Sequence, residues 1–348
     1  MPPQRASVES IVARAWMRRG LLARILWPLS LLFRLLVAAR RRLYAAGILK
    51  TVHLRVPVIV VGNVFVGGTG KTPLTIWLTD ELQRAGFVPG VVSRGYGGQQ
   101  EVPRLVTAVS LPRETGDEPV LIARRTGAPV MVGRDRVAAA QALLAARPDV
   151  NILLLDDGLQ HYAIGRDIEI VLFDARGGGN GWLLPAGPLR EPLSRPRDFT
   201  VVNGTQSVDG MPHDAIRMQL AGESVERLID RSHRMPLRAL SGAAHDGDGP
   251  RILAAAGIGN PDRFFAMLEA AGLTFTAMPL PDHYDFAQNP FAGAAADIIL
   301  ITEKDAVKCV QIDALKNDAR LWVVPVTATI DRALAEKILE KLRGYPIA

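Results

Sequence analysis

The sequence predicts an α/β fold built on a parallel sheet, and two observations predict it. From residue 56 onward, apolar runs typical of buried strands alternate with helical patterns, as in parallel α/β proteins. The stretch GGTGKT, residues 67–72, stands between one such run and a helical pattern, the position of a phosphate-binding loop. We therefore expect a P-loop NTPase-like core. The 348 residues, 48% of them hydrophobic, also suffice for a second, smaller α/β domain.

Residues 1–50 form a basic and apolar leader. They hold ten Arg or Lys against one acid, Glu9, a net charge of +9, so the remaining 298 residues sum to −3 within the total of +6. A nucleic-acid enzyme would carry its basic surface on the folded domains, so we expect no nucleic-acid partner. The distribution favours an anionic partner that meets the leader alone.

The leader is expected to lie on a membrane surface as an amphipathic helix, peripheral and not spanning. Its longest uncharged run, residues 25–33, has nine residues, fewer than the roughly 20 needed to cross a bilayer. Pro28 is expected to divide the segment into two helical pieces. The alternatives are a helix packed on its own protein and a cleaved signal peptide.

The nucleotide-binding domain is predicted to occupy residues 51–205. Its strands are expected at 56–61, 87–93, 129–132, 151–156, 168–174 and 199–203, and its helices at 71–84, 118–125 and 134–146. A second α/β pattern begins at Arg251 with an apolar run. Residues 206–348 are therefore predicted to form the smaller domain, closing over the active site, with a boundary near residue 205.

The predicted phosphate loop departs from the standard pattern, because Phe65 stands where the first glycine is expected. Gly67 and Gly68 can make the tight turn instead, and Lys71 can reach the phosphates from the start of the following helix. Thr72 is placed to bind Mg²⁺ through its hydroxyl. The predicted ATP-binding residues are Gly67, Gly68, Thr69, Gly70, Lys71 and Thr72.

A second signal is NILLLDDGLQH, an apolar run that ends in two acids. A strand of this kind brings a carboxylate beside the metal in P-loop folds. Because side chains alternate along a strand, at most one of the two acids faces the site directly. Asp157 is the predicted Mg²⁺ ligand, and Asp156 is expected to orient it from behind.

Three polar clusters are less specific when taken alone. GDEP, with Asp117, stands before a helix, where an N-cap is the simple interpretation. A lone His283 in PDHYDF is more often structural than catalytic. In ITEKDAVKC, Thr302 can cap a helix, and Lys304 and Lys308, one turn apart, are expected to lie on a solvated face.

Together these pieces resemble the tetraacyldisaccharide 4'-kinase family, which phosphorylates the lipid A precursor of Gram-negative bacteria. The resemblance runs the length of the chain, in family order, through GNVFVGGTGKTP, SRGYGG, GDEP, VGRDR, DDGLQH, LLPAGPLREP, GIGNP, DHYDF and TEKDAVK. It implies transfer of the ATP γ-phosphate to the 4'-hydroxyl of a tetraacylated disaccharide 1-phosphate. It also implies a location at the cytoplasmic face of the inner membrane, and no protein partner is predicted.

The resemblance also assigns site residues. The family takes the GDEP aspartate and the DH histidine as a catalytic pair, which here means Asp117 and His283, acting with Lys71. The carboxylate is expected to accept the proton of the sugar hydroxyl, and the imidazole to orient or tune the carboxylate. Glu118 would complete the metal ligands beside Thr72 and Asp157. The candidates for contacts with the substrate phosphate or headgroup are Arg94, Tyr96, Arg134 and Arg190, because arginine grips phosphate through two N–H groups.

Two rival classes stay open at the level of the residues. The loop resembles that of membrane-associated partitioning ATPases, which carry a second lysine before the paired glycines, where this chain has Val66. An ATPase acting as a conformational switch is therefore weakened but not excluded. A metallochaperone-type GTPase is disfavoured, because one cysteine, Cys309, and no clustered histidines leave little to bind a metal cargo. A single cysteine also indicates a reducing compartment.

Overall fold

Buried apolar runs form the strands of two separate sheets. The computed structural model describes residues 8–95, 102–107, 109–204, 208, 210–241 and 249–345. The helices are α1 (Val8–Met17), α2 (Leu21–Ala45), α3 (Lys71–Arg84), α4 (Pro112–Thr115), α5 (Asp117–Thr126), α6 (Arg136–Ala146), α7 (Pro261–Ala270), α8 (Glu303–Cys309), α9 (Asp313–Lys316) and α10 (Ala333–Lys341). The strands are β1 (Val58–Gly62), β2 (Pro89–Ser93), β3 (Arg104–Val106), β4 (Val130–Val132), β5 (Ile152–Asp156), β6 (Ile168–Asp174), β7 (Phe199–Asn203), β8 (Ile216–Ala221), β9 (Ser224–Arg227), β10 (Arg234–Pro236), β11 (Ile252–Ala256), β12 (Thr276–Pro279), β13 (Ile298–Thr302), β14 (Leu321–Val324) and β15 (Thr327–Ile330).

The first sheet has the order β15-β8-β7-β6-β1-β5-β2-β4-β3 among the described strands. Its strands from β8 to β4 are parallel, and the two edge strands, β15 and β3, pair antiparallel with their neighbours. Both faces are covered: Ile59 packs in one core with Leu74 of α3, and Val60 in another with Leu143 of α6. Burial on both faces explains why these strands read as continuous apolar runs. The predicted parallel α/β core is confirmed.

The second sheet has the order β10-β9-β14-β13-β11-β12 in the described part of the chain. Its central strands β14, β13, β11 and β12 are parallel, and β9 and β10 add to one side in antiparallel fashion. Two cores of its own flank this sheet. We call this sheet with α7, α8 and α9 the second unit.

Sheet membership differs from the sequence-based division at residue 205. Strands β8 and β15 and helix α10 belong to the first sheet and its core, although all three follow residue 205. The chain therefore leaves the first sheet after β8 and returns to it at β15. Their pairing joins residues more than a hundred positions apart, which local patterns cannot reveal. Residue 205 as a domain boundary stays a prediction.

Within the leader, α2 is one continuous helix, so the prediction that Pro28 divides the segment into two helical pieces is wrong. Helix α2 continues through Pro28, which lies within its 25 residues. An interior proline removes one helical hydrogen bond and crowds the carbonyl four residues before it, but contacts on both sides of Pro28 hold α2 to the protein. Ala23 is buried, and Ser30 Oγ donates to the Leu183 carbonyl at 2.8 Å. By length and composition alone, α2 is the one described helix that is long and apolar enough to cross a membrane.

Candidate active site

The phosphate loop connects β1 to α3 at the carboxyl edge of the first sheet, where open α/β sheets bind ligands. Gly67 and Gly70 have φ of +105° and +101°, a region that favours glycine. A Cβ at Gly70 would lie 2.5 Å from Asn203 Nδ2, so both the backbone and the space require glycine there. Helix α3 begins at Lys71, as predicted, so its N-terminus lies directly under the loop.

Lys71 lies between the loop and the end of β5. Its Nζ is 3.5 Å from Asp157 Oδ1 and 3.4 Å from Asn63 Oδ1. Thr72, the next residue of α3, is buried. The lysine is thus already beside the acid that was predicted to bind the metal.

The two acids at the end of β5 occupy different environments, as their alternation predicted. Asp156 is buried and accepts hydrogen bonds from Ser93 Oγ at 3.1 Å and Thr75 Oγ1 at 3.3 Å. Burial, helped by the charge of Glu118, raises the pKa of Asp156 to about 6. The Asp156 carboxylate therefore faces α3 and β2 and supports the edge of the site from behind.

Asp157 faces the site itself. Burial alone would raise its pKa, but the positive charges of Lys71 and Arg190 outweigh burial and lower it. Arg190 Nη1 is 3.4 Å from Asp157 Oδ1. The backbone of Asp157 has φ of +53°. Strained backbone of this kind costs about 1–3 kcal/mol and is concentrated at functional sites.

The predicted pair Asp117 and His283 is in contact across the two units. His283 Nδ1 lies 3.1 Å from Asp117 Oδ2, although the residues are 166 positions apart. His283 also has a positive φ, +58°. The N-cap interpretation of Asp117 is wrong, because Gly116 is the cap residue and Asp117 is already in α5.

The pair is unequal in exposure and in charge. The side chain of Asp117 is 6% exposed and that of His283 is 31% exposed. Burial alone would raise the pKa of Asp117, but the hydrogen bond from His283 and the charge of Lys304 lower it to about 2. The same hydrogen bond raises the pKa of His283. Asp117 is therefore an anion at neutral pH, and His283 is the member that a ligand can reach.

Lys304 and Lys308 do not lie on a solvated face, so that prediction is wrong. Lys304 Nζ is 3.0 Å from Glu118 Oε1, and Lys308 Nζ is 3.6 Å from Asp117 Oδ2. Helix α8 of the second unit packs on α5 of the first, and this packing buries Lys308 and leaves the Lys304 side chain only 16% exposed. Their i, i+4 spacing fits an interface as well as a surface, so the sequence offered no signal to distinguish the two. Thr302 does cap α8, as predicted, through the Asp305 N–H at 3.1 Å.

The predicted substrate-binding residues are distributed along the same edge. Arg94 and Arg134 follow β2 and β4 and are exposed, and Arg190 contacts Asp157 as described above. Tyr96 lies outside the described residues. A buried arginine that the sequence reasoning passed over, Arg136, donates to the Gly133 carbonyl at 2.5 Å. Burial lowers its pKa to about 10, against the opposing charges of Asp156 and Asp157.

The described residues contain no group of three His, Cys, Asp or Glu in metal-binding geometry. Thr72, Asp157 and Glu118, the predicted Mg²⁺ ligands, nevertheless offer the hard oxygen donors that Mg²⁺ prefers. Mg²⁺ is usually held by one or two carboxylates together with substrate phosphates and water, and not by an all-protein cage. The donor set therefore fits Mg²⁺ bound with a nucleotide.

Comparison with known proteins identifies the family. The family model of tetraacyldisaccharide-1-P 4'-kinase matches residues 22–343. The chain belongs to this family. This kinase is 64% identical over 351 residues to the tetraacyldisaccharide 4'-kinase of Herminiimonas arsenicoxydans, covering 99% of both chains. It is 63% identical over 349 residues to the tetraacyldisaccharide 4'-kinase of Janthinobacterium sp. (strain Marseille), covering all of both.

A solved structure supports the same conclusion. LpxK from Aquifex aeolicus, crystallised in complex with ATP, superposes with a TM-score of 0.75 at 28% identity and covers 92% of this chain and 99% of its own. The predicted family, P-loop kinase fold and ATP dependence are confirmed. The chain is a 4'-kinase of lipid A biosynthesis, which decides against the conformational-switch ATPase and the metallochaperone-type GTPase.

Proposed function

We propose that this kinase transfers the γ-phosphate of ATP to the 4'-hydroxyl of tetraacyldisaccharide 1-phosphate at the edge formed by the phosphate loop, α5 and the second unit. The contact between Asp117 and His283 carries the proposal. It brings a proton-accepting pair from two units to the edge that also holds Lys71 and Asp157. A sugar hydroxyl is a poor nucleophile near neutral pH and needs such a partner.

The loop and Lys71 bind the phosphates of ATP, and Thr72, Asp157 and Glu118 hold Mg²⁺. When bound, Mg²⁺ neutralises charge on the β- and γ-phosphate oxygens. Lys71 and Lys304 now pair with Asp157 and Glu118. Each lysine thus holds in place an acid that would bind Mg²⁺, and its ammonium group would also attract phosphate.

His283 takes the proton of the 4'-hydroxyl at Nε2, and Asp117 holds the ring through Nδ1. These roles are the reverse of those expected from the sequence, in which Asp117 accepts the proton and His283 orients that carboxylate. Asp117 Oδ1 already accepts the Glu118 N–H at 2.9 Å, and its Oδ2 faces His283 and Lys308, so little of the carboxylate is free. His283 is also the more accessible member of the pair, with its side chain 31% exposed against 6% for Asp117.

The kinase lies on the cytoplasmic face of the inner membrane through α2, without crossing it. The ring of Trp27 lies 6.2 Å from Trp182, and that of Tyr44 lies 5.7 Å from Tyr162, with Ser30 bound between them. These contacts cover about 26 Å of helix, at 1.5 Å per residue, so one side of α2 follows the protein surface. The opposite side exposes the large apolar residues Leu21, Ile25, Leu29, Leu32, Leu35 and Leu36. Such a helix buries one face in the bilayer surface, and the basic leader suits anionic lipids.

The experiment is incubation with γ-labelled ATP and a lipid disaccharide 1-phosphate, followed by separation of lipid from free phosphate. Label is expected in the lipid at the 4' position, and His283→Ala is expected to remove it while ATP still binds. Label in free phosphate alone would contradict the proposed acceptor. Unchanged lipid labelling by His283→Ala would contradict the proposed proton acceptor. No protein partner and no nucleic acid is required for this reaction.

A further inference from the structure

Three consecutive carbonyl oxygens of the glycine-rich stretch 67–70 in the phosphate loop are each held by a side chain from outside that stretch. Asn63 Nδ2 donates to Gly67 O at 3.0 Å, Arg176 Nη2 donates to Gly68 O at 2.9 Å, and Asn203 Nδ2 donates to Thr69 O at 2.9 Å. The three side chains come from different places in the first sheet, just after β1, just after β6 and at the end of β7. None of them belongs to the GGTGKT pattern, residues 67–72.

Peptide geometry converts these contacts into an orientation of the N–H groups. In a planar trans peptide, the C=O of one residue and the N–H of the next point in opposite directions. Holding the carbonyls of Gly67, Gly68 and Thr69 therefore turns the N–H groups of Gly68, Thr69 and Gly70 away from the three side chains. N–H groups turned to a common side form an anion-binding concavity.

We propose that Asn63, Arg176 and Asn203 are positioning residues that hold these three N–H groups toward the terminal phosphates of a nucleoside triphosphate. The inference rests on the proposed role of the loop in binding ATP. In a loop with the standard first glycine, the shape of the backbone alone orients the N–H groups. In this chain the three side chains are inferred to orient them. Asn63 also connects this set to Lys71, whose Nζ is 3.4 Å from Asn63 Oδ1.

Arg176 is the member whose surroundings explain the unusual Phe65. Its guanidinium carbon lies 4.3 Å from the centre of the buried Phe65 ring, a cation–π distance. Its Nε and Nη2 donate to Asp174, with Nη2 2.7 Å from Oδ2. The arginine is thus fixed by an aromatic face and an acid, and Nη2 donates both to Asp174 and to Gly68 O. Phe65 is a support for Arg176 and not a defect in the loop.

The second unit contacts the same acid. Arg263, in the first turn of α7, has Nη2 3.3 Å from Asp174 Oδ2. A Cβ built on Gly259 would lie 3.9 Å from the Gly68 nitrogen, so the loop before α7 lies against the phosphate loop. The second unit therefore meets both the phosphate loop and the acid that fixes Arg176.

The test replaces Arg176 with Met, which keeps an aliphatic side chain over the Phe65 ring and removes the guanidinium N–H donors. Arg197→Met is the matched control, because Arg197 also lies over a phenylalanine, 5.4 Å from the Phe173 ring, and donates to the Leu193 carbonyl away from the loop. Calorimetry without lipid measures the dissociation constants for ATP and for inorganic tripolyphosphate, which has no adenosine. The melting temperature of each variant is measured beside them.

Arg176→Met is expected to raise the dissociation constants for ATP and tripolyphosphate by about tenfold, since hydrogen bonds that involve a charged group are the strong ones. Arg197→Met is expected to leave both unchanged, and Arg176→Lys, which keeps one donor, should recover part of the loss. Unchanged binding by Arg176→Met, or equal losses in the two Met variants, would overturn the inference. A lower melting temperature with normal dissociation constants would also overturn it, as a purely structural role.

Asn203→Ala provides a second variant, because the buried Asn203 contacts the next peptide along the loop. If this variant folds, it should weaken the binding of ATP and tripolyphosphate as Arg176→Met does; if it does not fold, the arginine variants decide.

Lys71→Ala separates the inference from the proposed function. Normal ATP binding by Lys71→Ala would remove the loop from ATP binding altogether. Weak binding by Lys71→Ala with normal binding by Arg176→Met would refute the positioning role alone.

Discussion

The contact between Asp117 and His283 is tested by Asp117→Asn, His283→Gln and the double variant. Both changes nearly preserve side-chain shape, and each removes one half of the 3.1 Å contact. Asp117→Asn leaves Lys304 paired with Glu118 and Lys308 paired with Asp305, so no lysine is left without an acid. The fold is therefore expected to persist.

The magnitude follows from the contact. A hydrogen bond to a charged group contributes about 1.5–3 kcal/mol. At about 1.4 kcal/mol per factor of ten, its loss alone slows turnover about 10- to 150-fold. Loss of a general base costs about 10²- to 10⁴-fold. Asp117→Asn, which removes the partner of the ring, should therefore lose about 10- to 150-fold, and His283→Gln, which removes the base, about 10²-fold or more. The double variant should be little worse than the poorer single one, because half of a cooperating pair is already useless.

The assay is transfer of labelled phosphate into lipid at saturating ATP, with ATP affinity and melting temperature measured for every variant. Asp285→Asn is the matched control, an exposed acid two residues beyond His283 that caps its own loop through the Ala287 N–H. It should turn over normally. A double variant whose defect equals the product of the two single defects would refute a shared role and leave His283 as a structural or substrate-contact residue.

Three further predictions follow from the site and its surroundings. Lys71→Ala should lower turnover at least about 100-fold without changing the melting temperature, because phosphoryl transfer depends on positioning and charge stabilisation. Leu32→Glu should weaken flotation with anionic vesicles, whereas Ile229→Glu, at a residue equally 55% exposed on the second unit, should not. Burial and the charge of Arg136 lower the pKa of His161 to about 4, so the folded state disfavours its protonation. Its contribution to stability is present above its ordinary pKa of about 6.5 and is lost as pH falls toward 4, so the melting temperature should fall more steeply there than in His161→Gln.

Each of these three has an outcome that contradicts it. Near-normal turnover of a folded Lys71→Ala would remove the lysine from the mechanism. Equal flotation of the Leu32→Glu and Ile229→Glu variants would show that the exposed face of α2 does not bind lipid. Equal slopes of melting temperature against pH between 6.5 and 4, with and without His161, would exclude that histidine as a source of acid sensitivity.

Elements with a local signal could be predicted closely from the sequence. Helix α3 and strands β6 and β7 have the predicted bounds, because a glycine-rich turn or an uninterrupted apolar run marks each of them. Strands β8 and β15 were not predicted. They are short edge strands whose partners lie far along the chain, and their place depends on packing that no local window contains.

The residues of the candidate site likewise divide into those with a local sequence signal and those without one. The loop and the acids at the end of β5 could be predicted because one pattern places them at a strand end. The partnership of Asp117 with His283 came only from family resemblance, since no spacing connects α5 with the second unit. Lys304 was placed wrongly because its charge suggested water, whereas its ammonium pairs with Glu118. Arg176 had no signal at all, because a positioning role depends on where two distant loops meet.

The return of the chain to the first sheet has a consequence for synthesis of the protein on the ribosome. Helix α10 packs on α3, and its buried Leu334 and Ile338 belong to the core behind the phosphate loop. During synthesis α2 emerges from the ribosome before these residues, because it precedes them along the chain. The apolar leader is thus exposed in the cell long before the nucleotide-binding half can complete its core. On the role proposed for α2, the newly made chain can therefore reach the membrane surface before it can hold ATP.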